Sequence, residues 1–127
     1  MLVENHSTML KTVLKEKAIG TDFALYNVYG AYQDKKGFGE SFFTSGMLET
    51  RNIILGGDLN LTLSEKENWG TLARQDGLSS LFARLFESKE LVDIRPLKLT
   101  PTWRNNRSGE HEISKRLDRF FLQKNSL

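Results

Sequence analysis

Asp58 and Asn60 stand two residues apart at the end of residues 52–60, "NIILGGDLN", behind an apolar run and a pair of glycines. A carboxylate there could orient a water or take its proton, and an amide beside it could donate hydrogen bonds to an oxygen that gains negative charge. The same letters also describe an Asx turn in which the glycines serve tightness alone. Tyr29 closes the stretch "YNVYGAY", and its hydroxyl could meet an anionic oxygen; the plainer reading is a half-buried tyrosine. In "PTWRNN", Trp103 beside Arg104 pairs a flat ring with a cation, a combination suited to a nucleotide, although a lone tryptophan is ordinarily core. Asp118 lies between Arg116 and Arg119 in "SKRLDRFF". If strand alternation holds from residue 116, Asp118 shares a face with Arg116 and Phe120 and opposes Leu117 and Arg119, so an ion pair with Arg116 accounts for it most simply.

These residues need elements to hold them. Residues 9–16 and 22–29 are rich in strand formers, and "AIGT" between them offers a hairpin glycine. Both faces of 22–29 are largely apolar, which predicts a strand covered on both sides. "GAYQDKKGFGE" reads as a long loop and residues 40–50 as a short helix in spite of Gly46. Ile53, Ile54 and Leu55 form an unbroken apolar run, predicting a central strand with Asp58 just past its end. Residues 61–77 read as loop, and 78–91 as the clearest helix, with Leu78, Leu81, Phe82, Leu85 and Phe86 on one stripe and Asp76 or Ser79 as cap. "LVDI", "TPTWRN" and 116–122 complete the pattern as extended segments. The sum is an α/β layered domain, with sheet edges expected near 9–16 and 116–122.

Composition narrows the chemistry. The 127 residues are enough for one domain that buries roughly two thirds of its unfolded surface. With no cysteine, thiolate nucleophiles, zinc–thiolate centres and disulfides are excluded. Two histidines, His6 and His111, cannot build a multi-histidine centre, so any metal would take oxygen ligands, as magnesium or manganese do. The net charge of +2 permits an anionic partner, and the basic side chains gather at Arg104, Arg107, Lys115, Arg116 and Arg119. No apolar run has the length of a membrane span or a signal core, so no membrane association is expected and an intracellular site, nuclear or cytoplasmic, is favoured.

Taken in order, "NVYG", "ILGGDLN", "PTWRN" and "SKRLDRFFL" resemble the endonuclease/exonuclease/phosphatase superfamily, and most of all the endonuclease module of plant non-LTR retrotransposons. The resemblance runs from about Phe23 to Leu122 and implies a partial DNase I-like four-layer αββα sandwich with mixed or mostly antiparallel sheets. It further implies phosphodiester cleavage in DNA with Mg2+ or Mn2+. Asp58 would activate the water, Asn60 would hold the scissile phosphate, Tyr29 would touch a phosphate oxygen, and Asp118 would orient a catalytic histidine.

This chain departs from that pattern in three places. The expected first strands, with an asparagine and a metal-binding glutamate, are not found ahead of the hairpin, where only Glu4 stands. The final strand with its serine–aspartate–histidine triplet is absent, and Ala31 and Tyr32 replace a proline and an asparagine after the tyrosine motif. The expectation is therefore one incomplete domain over residues 1–127, endonuclease-like and weak or inactive by itself. Two other readings stand beside it: a non-catalytic nucleic-acid binder using Trp103, Arg104, Arg107, Arg116 and Arg119, and a fragment that folds with a partner segment supplying the missing strands.

Overall fold

The computed structural model describes residues 2–6, 9–16, 20–31, 33–44, 48 and 52–124, with the side chains of 2–6 and 16 outside that description. The two runs of strand formers pair as β2 (Met9–Glu16) and β3 (Thr21–Tyr29), antiparallel, with Glu16 opposite Thr21. Ala18 and Ile19 of the expected turn, and Gly46 of the expected helix, lie outside the described residues. A strand that the sequence pattern does not announce, β1 (Leu2–His6), pairs with β2 and makes β2 an interior strand. Glu4 belongs to it, opposite Lys11, and its side chain is not described.

The apolar run at 53–55 becomes β4 (Ile53–Asp58), parallel to β3, and Asp58 is its last residue rather than the first beyond it. A parallel neighbour needs a crossover. The crossover here carries α1 (Lys35–Thr44), so the segment expected to be loop starts the helix and the expected span is shifted. Helix α2 (Ser79–Ser88) follows, then β6 (Leu91–Asp93) and finally β9 (Asp118–Gln123). The six strands lie in the order β1-β2-β3-β4-β9-β6. The last strand is thus flanked by β4 and β6, which corrects the expectation of an exposed edge at 116–122. A second sheet of three short strands, in the order β5-β8-β7, is made by β5 (Asn68–Trp69), β7 (Trp103–Arg104) and β8 (Ser114–Lys115).

Phenylalanines hold the helices to the sheet. Phe42 and Phe43 of α1 meet Phe82 and Phe86 of α2 over Tyr26, Ile53, Leu55 and Phe121. Phe43 stands edge-on to Phe86 at 5.0 Å between ring centres, and Phe86 stacks on Phe121 at 4.1 Å. Burying each such side chain is worth about 1.5–3 kcal/mol, so this cluster is the main support of the fold. Most of the α2 stripe is used as its spacing predicts, Phe82 and Phe86 buried with Leu78 and Leu85 packed beside them, whereas Leu81 is half-buried outside that cluster. Ser79 is not its cap: it is buried and its hydroxyl donates to the Thr62 carbonyl, while Asp76 Oδ1 accepts the Leu78 amide.

Only one sheet face is covered among the described residues. Ala24, Tyr26 and Val28 of β3 point to the helices and are buried, whereas Leu25, Asn27 and Tyr29 are exposed. The opposite face therefore displays Leu10, Leu14, Leu25 and Phe120, which corrects the expectation of a strand covered on both sides.

Candidate functional site

Parallel pairing sets Tyr29 opposite Asp58, and antiparallel pairing sets Asp58 opposite Asp118. Three residues from three strands thus form one row across the open face, with neighbouring strands about 4.8 Å apart. Asp58 and Asp118, sixty residues apart in the chain, are adjacent and on the same side of the sheet. Tyr29 and Asp118 are exposed, and no described residue bonds the Tyr29 hydroxyl or the Asp118 carboxylate.

The backbone around the row is tied strand to strand. Gly30 N donates to Asp58 O at 2.7 Å and Leu59 N to Leu117 O at 3.0 Å. Asp58 Oδ1 accepts the Asn60 amide at 2.8 Å, so the Asx turn is present, and Asn60 takes a left-handed φ of 54° that asparagine tolerates. Asn60 Nδ2 donates to Gly30 O at 2.7 Å. A carbonyl can only accept, so this bond fixes which end of the amide faces Gly30 and leaves the second N–H of Asn60 free to donate.

The glycine pair serves packing rather than ligand access. A Cβ on Gly56 would stand 2.6 Å from the Phe120 ring, and one on Gly57, where φ is 138°, would collide with the Val28 carbonyl. Asp118 is positioned from below: Thr102 Oγ1 accepts the amides of Leu117 at 2.9 Å and Asp118 at 3.1 Å.

Beside the row, Lys35, Asn60, Trp103, Lys115 and Leu117 line an open cleft of about 380 Å³. Lys35 is held by Asp76 at 2.8 Å, and this contact joins the start of α1 to the segment before α2. Burial would raise the Asp76 carboxyl, but the hydrogen bond from Lys35, the Leu78 amide and the charges of Lys35 and Lys115 outweigh it and hold the group below its ordinary value. Sequence reading passes over Lys35 because it sits in a stretch resembling loop. Trp103 is half exposed at the cleft, and Arg104 and Arg107 are exposed on the hairpin that follows it. Asn105 closes that hairpin, donating to His111 O and accepting the amides of Arg107 and Ile113. His111 is exposed there, beside Glu110.

Arg116 and Arg119 do not belong to any binding surface. Both are buried, and they share Glu67 and Asp93 in a four-charge cluster. Arg116 contacts Glu67 at 2.7 Å and Asp93 at 2.8 Å, and Arg119 contacts Glu67 through both terminal nitrogens at 3.0 Å. Residues 116 and 117 bridge β8 and β9 rather than extend either strand, so alternation begins only at Asp118. Arg116 therefore turns to Glu67 and Asp93 and not to Asp118. Nothing local marks Glu67, which sits in a polar stretch read as loop. Burial would raise its carboxyl, yet Arg119, the Leu63 amide and Arg116 keep it below the ordinary value.

Among the described residues no three His, Asp or Glu side chains converge on one point. Glu67 and Asp93 are neutralised by the arginines they share.

No protein-family model and no curated protein sequence matches the chain, but solved structures do. Superposed on the endonuclease domain of TRAS1, a telomere-specific non-LTR retrotransposon, it gives a TM-score of 0.69 at 17% identity, covering 93% of this chain and 51% of that one. The fold is DNase I-like. The chain spans about half the length of that endonuclease domain, which agrees with one helix-covered sheet of a four-layer sandwich. The mannosyl-6-phosphatase Bt3783 of Bacteroides thetaiotaomicron and TDP2 of Caenorhabditis elegans are also similar, with TM-scores of 0.49 and 0.48 at 18% and 17% identity; the chain covers 42% and 40% of them. The DNase I-like sheet places the row at the carboxyl ends of β3 and β4, where the open face meets the cleft. Among the described residues, no helix is long and apolar enough to cross a membrane.

Proposed function

We propose that this chain carries the phosphate-positioning part of a DNA phosphodiesterase site. The observation that supports this reading is the in-register row of Tyr29, Asp58 and Asp118, beside the free N–H of Asn60 and a cleft edged by two lysines and an indole. In this reading the Tyr29 hydroxyl and the Asn60 amide donate to non-bridging phosphate oxygens. Lys115 offsets the repulsion between the phosphate and the two carboxylates. Asp58 takes a proton from water as its oxygen bonds to phosphorus and the P–O ester bond breaks; the leaving oxygen gains a proton from solvent. Asp118 is poised to hold a proton-carrying group, such as a histidine, from a segment packed on the open face. Such proton transfers are worth about 10²–10⁴-fold each, so residues 1–127 tested by themselves are expected to nick DNA slowly.

The test is nicking of supercoiled plasmid in magnesium buffer, with and without EDTA, beside Asp58→Ala purified identically. Slow nicking lost in the variant is the expected result. Equal nicking by both, or none, removes the catalytic half of the reading. The exposure of Trp103 and Arg104 beside the cleft favours a second reading, non-catalytic DNA binding, which predicts salt-dependent affinity that survives Asp58→Ala.

A further inference from the structure

In the loop between β6 and β7, residues 94–102, only Thr102 has a part in the site as described, and both feet of the loop stand beside that site. Ile94 N donates to Phe120 O at 2.8 Å and Thr102 N to Lys115 O at 2.9 Å, while the Thr102 hydroxyl holds the Asp118 amide. The loop reads "IRPLKLTPT", with two cations, two prolines and no carboxylate. Arg95, Pro96, Leu97 and Lys98 are all exposed, and Leu97 reaches 111% of its reference exposure. A leucine that touches nothing gives the fold nothing, and a free apolar tip between two cations is costly in water. Prolines limit the loop's conformations, so its tip is presented with little ordering left to lose on binding.

An apolar side chain flanked by cations, set beside a candidate phosphate site, matches a polyanion whose interior is a stack of flat apolar rings. We propose that this loop is a wedge for duplex DNA, with Leu97 entering a groove and parting a base step while Arg95 and Lys98 lie against the flanking phosphates. Arg95 is also 3.5 Å from Asp93 and more than half exposed, so it is loosely held and can reach outward. The inference rests on the proposed DNA site and adds to it: the substrate is a duplex, deformed next to the row that carries Asp118.

The measurement is fluorescence of 2-aminopurine in a short DNA duplex, titrated with the chain and with Leu97→Ala and Leu97→Met. Because Leu97 is wholly exposed, all three proteins are expected to share one denaturation midpoint. The wild type raises the fluorescence as a base unstacks; Leu97→Ala loses that rise and binds about tenfold more weakly, and Leu97→Met retains both. Equal affinity and equal signal from Leu97→Ala overturn the wedge while leaving the DNA site intact. No duplex binding by the wild type overturns both. Binding to anionic vesicles that Leu97→Ala loses, with duplex binding unchanged, assigns the loop to a lipid surface and also overturns the wedge.

Discussion

Glu67 is the residue whose loss the fold should tolerate least. Buried between Arg116 and Arg119, it neutralises two guanidinium groups that have left water, and Arg119 Nε has no partner among the described residues. Breaking a buried ion pair from one side costs about 3–5 kcal/mol, so Glu67→Gln should lower the urea midpoint sharply at pH 7. The pH dependence follows from the same contacts. The folded carboxyl lies below its ordinary value of 4.5, so its stabilisation is complete above that pH and is lost as pH falls from there through the folded value. Acid unfolding of the wild type should steepen below about pH 4.5 in a way that Glu67→Gln does not show. Arg104, exposed on its hairpin, should behave oppositely. Arg104→Ala is expected to leave stability within about 0.5 kcal/mol and to reduce the salt slope of DNA binding by about 1.

The junction of β3, β4 and β9 holds the candidate site, and its two glycines should differ in what they tolerate. Gly57 combines a φ of 138° with a backbone carbonyl where Cβ would lie, so Gly57→Ala should cost more than about 2 kcal/mol. Gly56 faces the Phe120 ring, which is exposed and can turn away, so Gly56→Ala should cost about 1 kcal/mol or less. Urea denaturation of both variants decides between this account and one in which the glycines are spaces for a ligand. Helix α1 shows why element boundaries escaped the sequence. Its glycines argue against a helix, yet a Cβ at Gly39 would stand 2.6 Å from the Phe82 ring, so close packing on α2 requires glycine there. Contact with Phe82 and Phe86 outweighs the propensity cost of about 1 kcal/mol per glycine.

Adjacent phenylalanines on β9 report how the whole molecule is organised. Phe121 is 1% exposed within the helix-covered core and Phe120 is 62% exposed on the open face. In this chain alone Phe121→Ala should cost about 3–5 kcal/mol and Phe120→Ala under about 1. If a segment covers the open face, adding it should make the Phe120→Ala cost approach that of Phe121→Ala, and should bury Leu10, Leu14 and Leu25 along with it. Comparable costs for the two variants in the isolated chain would show that the open face is already closed, for instance by self-association.

Some of this was readable from the chain because it depends on near neighbours. The apolar run before the glycines is strand β4, and the stripe at 78–86 is α2, since periodic burial is a local pattern. The Asx turn at Asp58 and Asn60 was one of two local readings, and it is present. That Tyr29, Asp58 and Asp118 share a row follows from strand register, which is set by pairing between distant segments and not by the residues themselves. The arginines make the same point. Neither Arg104 nor Arg116 has a neighbour in sequence that marks it for burial, but one is exposed and the other is buried against Glu67, 49 residues away, because the cost of burying a charge is decided by whether the fold delivers its counter-charge.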